Sequence, residues 1–317
     1  MTYSTGGLIQ ATDYNGFVST TAGGNVNATW NSAYGQTSLP TVSVGGDVLA
    51  SSWATLNNTV ANMALHQGTT ITSRTTPVIG ADIAPLPNLG TDIASCYTNR
   101  YNAALQGSQY TAWTGTSSKT TATGSGTAPW TITFSHNIQW FSAAALYWFF
   151  NAGGLIKIQF SKTSTGTAQD TEWNSFIPTL GTIYLSSVGA SKTIVGTAYD
   201  GTTKIGGSGT YTILTTGTGA LDLTSTPVIL FKQYDSGTAY SNNYVQVQAT
   251  APNSTSLAFD TTWYDNGDPY GADISGGTPT TGITFGTAPA TVVTYIPPET
   301  TYITNVWGTP TISASTA

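Results

Sequence analysis

The sequence predicts a mainly β protein with a small helical N-terminal unit, an α+β fold whose C-terminal region is antiparallel and β-sandwich-like. Helical spacing of apolar residues is confined to roughly the first hundred residues, and later apolar residues alternate with period two between clusters of Gly, Ser, Asn and Thr. Charged residues make up only 7% of the 317-residue chain, whereas aromatic residues make up 11%. So many aromatic side chains predict a packed core beneath a surface of Thr, Ser, Asn, Gln and Gly.

The first predicted helix is a short one within the segment "ATDYNGFVSTTAGGNVNATW". Thr12 or Asp13 is its expected N-cap, because short polar side chains accept hydrogen bonds from the first free backbone N–H groups of a helix. The apolar residues of this helix are Tyr14, Phe17 and Val18.

The second predicted helix has the strongest pattern, in "ASSWATLNNTVANMALHQG". Ser51 or Ser52 is the expected N-cap, and Gly68 is the expected stop. Apolar residues recur at three- and four-residue spacing along one face, at Trp53, Leu56, Val60 and Met63.

The third helix is predicted to start near Thr91, after a candidate hairpin in "TVSVGGDV". One face of this helix comprises Ile93, Cys96, Tyr97, Arg100, Tyr101 and Ala104. Cys96 is the single cysteine of the chain, which excludes an internal disulfide and a multi-cysteine metal site. We interpret it as a small buried hydrophobic residue.

Beyond "NAALQGSQ" the pattern changes to that of strands. In "PWTITFSHNIQWF", the side chains of Trp130, Ile132 and Phe134 fall on one face. The same alternation recurs in "TYTIL", "VILFKQY", "YVQVQAT", "SLAFDTTWY" and "TVVTYIP", which predicts an antiparallel sandwich or a related β-fold. The segment "YWFFNAGGLIKIQFS" is predicted to form a β-hairpin, with Gly153 and Gly154 in its turn.

These patterns divide the chain into a helical docking or oligomerisation unit at 1–108, antiparallel β-domains at 109–286 and a Thr/Pro-rich arm at 287–317. The arm has too many prolines for a helix and too many apolar residues to remain free in water. We expect it to pack along its own β-region or a neighbouring copy. Pro297 and Pro298 are expected to bend it between two short strands, and Trp307 is the expected anchor.

The charge of the chain and the composition of its N-terminal residues argue against some classes of partner. The net charge is −6, and the eight Lys and Arg residues form no cluster, which argues against nucleic acid as a partner. The first residues have neither a basic nor an apolar leader region, and the chain has no apolar run of about 18 residues. The sequence therefore predicts synthesis in the cytoplasm without a signal peptide, and no membrane partner.

Catalytic residue types are scarce. His66 and His136 are the only imidazoles, and structural roles are expected for both because no nucleophile-elbow motif accompanies them. Glu172 and Glu299 lie in unrelated contexts, so a glycosidase pair would have to recruit aspartates. We therefore predict no enzyme activity and no cofactor.

The best acidic cluster is "DTTWYDNGDPYGAD", which contains Asp260, Asp265, Asp268 and Asp273. Carboxylates at close spacing suit Ca²⁺, although the pattern does not match the twelve-residue calcium loop. An ordinary hairpin turn at "NG" with solvated acids is the favoured interpretation. The neighbouring aromatic residues are candidate glycan contacts because aromatic rings stack on the apolar C–H face of sugars: Trp263, Tyr264 and Tyr270. Each of these aromatics is equally compatible with a place in the core.

Four segments together resemble a group of virion structural proteins of tailed bacteriophages, especially marine and cyanobacterial phages, that are described as tail-fibre-like. These segments are "YSTGGLIQATDYNGFVST", "VNATWNSAYGQ", "VGGDVLASSWATLNNTVANMALHQG" and "FFNAGGLIKI". The resemblance covers about the first 190 residues, through "TEWNSFIPTLGTIYLSS".

The resemblance implies a tail-fibre or baseplate-associated protein of the virion, without catalytic residues. A capsid decoration or head-fibre protein is the alternative position, and a carbohydrate-binding module that reads a host-surface glycan is the alternative of another class. The expected partners are other copies of the chain, as a trimer, and other virion proteins. Candidate assembly contacts are Trp53, Leu56, Val60, Met63 and Trp307.

Overall fold

A computed structural model describes residues 10–19, 24–78, 88–102, 114–118, 129–163, 168–188, 192–194, 197–237, 240–266 and 287–316. The α-helices are α1 (Ala11–Val18), α2 (Ala50–Gln67), α3 (Leu89–Thr98), α4 (Ala143–Asn151) and α5 (Ala168–Phe176). A π-helical segment spans Ala28–Ala33, and short 3₁₀ helices span Ile177–Leu180 and Ala220–Asp222.

The strands form antiparallel sheets, as the period-two patterns predict. The strands are β1 (Thr114–Ser118), β2 (Trp130–Gln139), β3 (Leu155–Thr163), β4 (Thr182–Leu185), β5 (Lys192–Ile194), β6 (Thr197–Tyr199), β7 (Thr202–Ile205), β8 (Ile213–Leu214), β9 (Val228–Tyr234), β10 (Tyr244–Asn253), β11 (Ser256–Asp265), β12 (Thr287–Ile296) and β13 (Thr311–Thr316). A five-stranded sheet has the order β1-β12-β3-β4-β7, and a six-stranded sheet has the order β13-β2-β11-β10-β9-β8. Strands β5 and β6 form a separate pair.

The two large sheets share one hydrophobic core, which confirms the β-sandwich-like class. Phe134 of β2 and Trp263 of β11 enter this core from the six-stranded sheet. Ile158 of β3 and Val293 of β12 enter it from the five-stranded sheet. The opposite face of the five-stranded sheet carries a smaller cluster around Leu155.

Helices α1, α2 and α3 enclose a second cluster, in which the ring of Trp53 makes T-shaped contacts with the rings of Tyr14 and Phe17. All three predicted helices are present, but the N-caps of the first two differ from the expected residues. The N-cap of α1 is Gln10, and that of α2 is Leu49, so the predicted polar caps lie inside the first helical turns. Gly68 ends α2 with a φ of 68°, as predicted.

Cys96 is buried on α3, as predicted, and burial raises the pKa of its thiol to about 12. Ile93 is buried beside it, whereas Tyr97, Arg100 and Tyr101 on the same predicted face are half-buried. Ala104 lies outside the described residues. The hairpin expected in "TVSVGGDV" is wrong, because this segment contains a turn without flanking strands.

The predicted hairpin in "YWFFNAGGLIKIQFS" is wrong in its first arm, which belongs to α4. The hydroxyl of Ser142 accepts a hydrogen bond from the N–H of Ala145 and caps this helix, whose first residues are good helix-forming alanines. The second arm is β3, as expected. Gly153 adopts a φ of 110°, and a Cβ at Gly154 would lie 2.3 Å from Phe149 Cε1, so both glycines are required for different reasons.

The segment from residue 287 contributes to both sheets. Strand β12 pairs with β1 and β3, and β13 pairs with β2. Pro297 and Pro298 follow β12, so the two expected strands are present on either side of them. Trp307 is 1% exposed in the core between the sheets.

Hydrogen bonds join the helical cluster to the sandwich. The side-chain amide of Gln36 donates to the carbonyl of Thr304, and its oxygen accepts from the N–H of Thr304, both at 3.0 Å. His66 Nε2 lies 2.9 Å from the carbonyl oxygen of Ala152.

The domain boundaries expected near residues 108 and 286 remain a prediction.

Candidate binding site on the six-stranded sheet

The six-stranded sheet has one apolar face and one polar face. Along β2, the even-numbered residues 132, 134, 136 and 138 are buried, and the odd-numbered residues between them are partly or fully exposed. The exposed side chains are uncharged hydrogen-bonding groups: Thr131, Thr133, Ser135, Asn137 and Gln139. The same alternation runs through β10 and β11, so the polar face continues across the sheet.

Three tyrosines form a row across one end of this polar face, which we call the tyrosine row. Tyr234, Tyr244 and Tyr264 are the final, first and penultimate residues of β9, β10 and β11. The strand register places Tyr244 directly opposite both of the others. Cross-strand neighbours on one face lie close enough for their side chains to touch.

The ring geometry shows how the row is packed. The rings of Tyr244 and Tyr264 are stacked, with centroids 4.9 Å apart and planes inclined by 22°. Tyr234 meets Tyr244 edge to face at 5.4 Å. Two nearly parallel rings at such a short distance have to overlap face to face, because side-by-side rings would collide. One face of Tyr264 is thus covered by Tyr244, and its other face points toward β2.

Lys232 supplies the positive charge of the row. Its ammonium lies 3.7 Å from the ring centroid of Tyr244 and 4.7 Å from that of Tyr234. Cation–π attraction favours this position because the ring faces carry negative electrostatic potential. Within the described part of the chain, the ammonium has no hydrogen-bonding acceptor and no ion-pair partner. Its three N–H donors remain available.

A buried polar network under the row fixes the ends of the strands. The carboxylate of Asp265 accepts hydrogen bonds from Trp173 Nε1 at 2.7 Å and from the side-chain amide of Asn243 at 3.0 Å. The backbone N–H of Asp235 donates to the carbonyl of Asn243 at 2.8 Å. Because Asp235, Asn243 and Asp265 each adjoin one of the tyrosines in sequence, this network holds the row in register.

Glu172 of α5 interacts with Asp235 of this network. Its pKa is raised by burial, by the negative charge of Asp235 and by a hydrogen bond between the two carboxyl groups. This contact favours the protonated form of Glu172. Glycosidase carboxyl groups are separated by about 5 Å or more to admit the substrate or a water molecule, so this pair lacks that geometry.

The three aromatic residues proposed from the sequence have different positions. Trp263 is fully buried and stacks on Trp173 with centroids 5.6 Å apart, so its interpretation as a glycan contact is wrong and its place is in the core. Tyr264 lies on the polar face, where its hydroxyl donates to the side-chain oxygen of Asn266 at 3.1 Å. Tyr270 lies outside the described residues.

The aspartates of the acidic cluster that the structure describes do not converge on one site. Asp260 is exposed on the polar face and accepts a hydrogen bond from Ser135 at 2.5 Å, whereas Asp265 is buried on the apolar face. One cation therefore cannot be held by both. Asp268 and Asp273 lie outside the described residues, and the described ones contain no group of three His, Cys, Asp or Glu that suits a metal ion.

The other titratable candidates occupy structural positions. His66 and His136 are 2% and 1% exposed, on α2 and β2 respectively. Glu299 follows the proline pair, and its carboxylate accepts hydrogen bonds from the backbone N–H and the hydroxyl of Thr301. The histidines and this glutamate are therefore not brought together.

The five candidate assembly contacts are core residues of their own chain. Their side chains are at most 1% exposed: Trp53, Leu56, Val60, Met63 and Trp307. Their interpretation as surface contacts for a partner is wrong, because helical periodicity identifies an apolar face without showing whether the same chain covers it.

Tyr234, Tyr244 and Lys232 are site residues that the sequence patterns do not indicate. Both tyrosines end or begin segments that were recognised as strands, "VILFKQY" and "YVQVQAT". Their juxtaposition depends on which strands pair and in which register, and the patterns of individual strands do not specify either.

Comparison of the chain with protein-family models, with curated proteins and with solved structures found no match. Among the helices that the structure describes, none has the length and apolar character needed to cross a membrane.

Proposed function

We propose that this chain is a non-enzymatic structural component of a tailed-phage virion, a tail-fibre or baseplate-associated protein that acts through protein–protein assembly. The resemblance of about its first 190 residues to tail-fibre-like virion proteins carries the proposal. Where the structure describes them, the segments that carry the resemblance contribute to the framework of the fold. They include α1, α2 and the junction of α4 with β3.

The surface chemistry supports an assembly role. The exposed side chains of β2 are neutral hydrogen-bonding groups, which suit wet and polar contacts between subunits. Charged residues are only 7% of the chain, and a low charge density limits repulsion between identical copies that are packed symmetrically. We propose a homotrimer that also contacts other virion proteins.

Two measurements test this proposal. Native mass determination of the purified protein is expected to give a trimer, and immunogold labelling of virions with antibodies to the chain is expected to decorate particles. A monomer that is never found on particles would overturn the proposal.

Copy number distinguishes a tail position from the alternative position on the capsid. A tail fibre or baseplate protein is expected at a small multiple of the baseplate symmetry. Quantitative mass spectrometry of purified virions that finds on the order of hundreds of copies would instead support a capsid decoration protein or a repeating tail layer.

A further inference from the structure

We propose that the tyrosine row, together with Lys232, is a binding site for an acidic polysaccharide, a glycan whose pyranose rings carry carboxylate or sulfate groups. The inference concerns ligand binding by the chain itself. Its outcome is therefore independent of whether the chain is a virion component.

Tyr264 provides the surface on which a sugar ring can stack. One face of its ring is covered by Tyr244, and the other points toward β2. The residue opposite Tyr264 on β2 is Thr131, which is small and exposed. The C–H face of a pyranose is apolar and packs on an aromatic ring, so a sugar can lie against Tyr264 above Thr131.

Lys232 gives the site its preference for a negatively charged ligand. Three other cations in the described ranges use their donors within the chain: Arg74 pairs with Asp92, Arg100 donates to the carbonyl of Tyr97, and Lys204 donates to two backbone carbonyls. Lys232 instead is positioned by two aromatic rings and retains its donors. An ammonium held in this way is ready to form charge-assisted hydrogen bonds with a carboxylate or sulfate.

The side chains beside the row also suit a glycan. The outward residues of β10 and β11 next to the tyrosines are Gln246, Gln248 and Thr262, all partly exposed. Their amide and hydroxyl groups match the alternating donors and acceptors of sugar hydroxyls. They offer no aliphatic anchor of the kind that fills a pocket at the centre of a protein interface.

The experiment measures binding of the full chain to immobilised alginate, dextran sulfate and uncharged dextran by biolayer interferometry. Dextran and dextran sulfate share a backbone, so their comparison isolates the contribution of charge. We expect binding to alginate and dextran sulfate that weakens as salt is added, and much weaker binding to dextran.

Variants assign this binding to the row. Lys232→Met keeps the apolar stem and removes the charge, and Tyr264→Ala removes the stacking face. Each is expected to weaken binding to the acidic polymers by about tenfold or more. Tyr264→Phe keeps the ring and is expected to bind as the unchanged protein does. Tyr147→Ala is the matched control, because Tyr147 is 41% exposed on α4, outside the tyrosine row.

Three outcomes would overturn the proposal. The first is that the chain binds neither acidic polymer. The second is equal binding of dextran and dextran sulfate, which would exclude selection for charge. The third is normal binding by Tyr264→Ala together with equal weakening of binding by Lys232→Met and Lys157→Met. This result would show general attraction between charges and no specific site. Circular dichroism melts of every variant show whether the fold is retained.

Discussion

The two faces of the six-stranded sheet are made by the same strands but differ in their chemistry. At the end of β11, Trp263 points into the core and stacks on Trp173, whereas Tyr264 points outward and stacks on Tyr244. The inner pair is shielded from water and linked to a buried carboxylate network. The outer pair is partly solvated and lies beside Lys232, whose ammonium has no acceptor among the residues that the structure describes. Aromatic stacking therefore stabilises the fold on one face and prepares a binding surface on the other.

The contrast also shows how burial decides the role of a charged residue. Asp265 and Asp260 belong to the same strand, but Asp265 is fully buried with tryptophan and asparagine donors, and Asp260 is exposed with a serine donor. The buried carboxylate has no access to water, so its protein donors are indispensable. The exposed carboxylate is solvated with or without its partner.

Replacement of Trp263 with alanine is expected to have the largest effect. It leaves a cavity among Trp173, Phe134 and the surrounding core, and should lower the free energy of unfolding by about 3 to 5 kcal/mol. Tyr264→Ala changes the adjacent residue on the outer face and should cost less than about 1 kcal/mol. Urea denaturation of both variants checks this, and equal losses would contradict the distinction between the two faces.

Asp265→Ala is expected to have the next largest effect. It leaves the Trp173 N–H and the Asn243 amide buried without their acceptor, at a cost of about 2 to 3 kcal/mol. Asp260→Ala is the matched control and should change the free energy of unfolding by no more than about 0.5 kcal/mol. Guanidinium denaturation at neutral pH gives both values. A comparable loss of unfolding free energy in the control would show that burial does not make Asp265 more important for stability than Asp260.

Glu172→Gln is expected to stabilise the protein at neutral pH. The folded state raises the pKa of Glu172, so it binds the proton more tightly than the unfolded state does. The stability that this proton contributes is present below the ordinary glutamate pKa and is lost as the pH rises through the raised value. Glutamine mimics the protonated acid and can donate to Asp235 at every pH.

Thermal melts from acidic to neutral pH test this expectation. The difference in midpoint between Glu172→Gln and the unchanged protein should grow in favour of the variant as the pH rises. Asp47→Asn removes an exposed carboxylate and serves as the control for net charge. A difference that is constant across the pH range would show that the contact with Asp235 does not affect the titration of Glu172.

The stacked pair Tyr244 and Tyr264 is expected to have the smallest effect on stability. A double-mutant cycle with alanine at each position should give a coupling energy of about 0.2 to 1 kcal/mol, which is typical of cross-strand pairs on an exposed face. A coupling energy well above this range would mean that the row stabilises the fold as strongly as the inner face does.

Much of the fold was predictable because individual elements carry clear periodicity. The four apolar residues of α2 and the inward residues Trp130, Ile132 and Phe134 of β2 are buried as expected. The α4 helix is not evident from the segment that starts at Tyr147, because the capping Ser142 and the alanines that start the helix precede it. Propensity and capping signals upstream determine this helix more than its bulky aromatic residues do.

The candidate site was only partly predictable. Alternation along β11 already requires Trp263 and Tyr264 to lie on opposite faces, so they cannot both contact one sugar. Alternation does not specify which face meets the core. The remaining residues of the site depend on pairing between β9, β10 and β11, which arises from tertiary packing and turn geometry.

The pairing of β2 with β13 has a consequence for synthesis on the ribosome. Residues 134–139 of β2 meet residues 311–316, and β12 is inserted between β1 and β3 in the other sheet. The helical cluster, by contrast, draws its buried residues from positions 14–96. A nascent chain can therefore assemble the helical cluster early, while half-finished sheets expose unpaired edges until the last strands emerge. Contacts between such distant residues form slowly, so this interval is when the chain is most prone to aggregation.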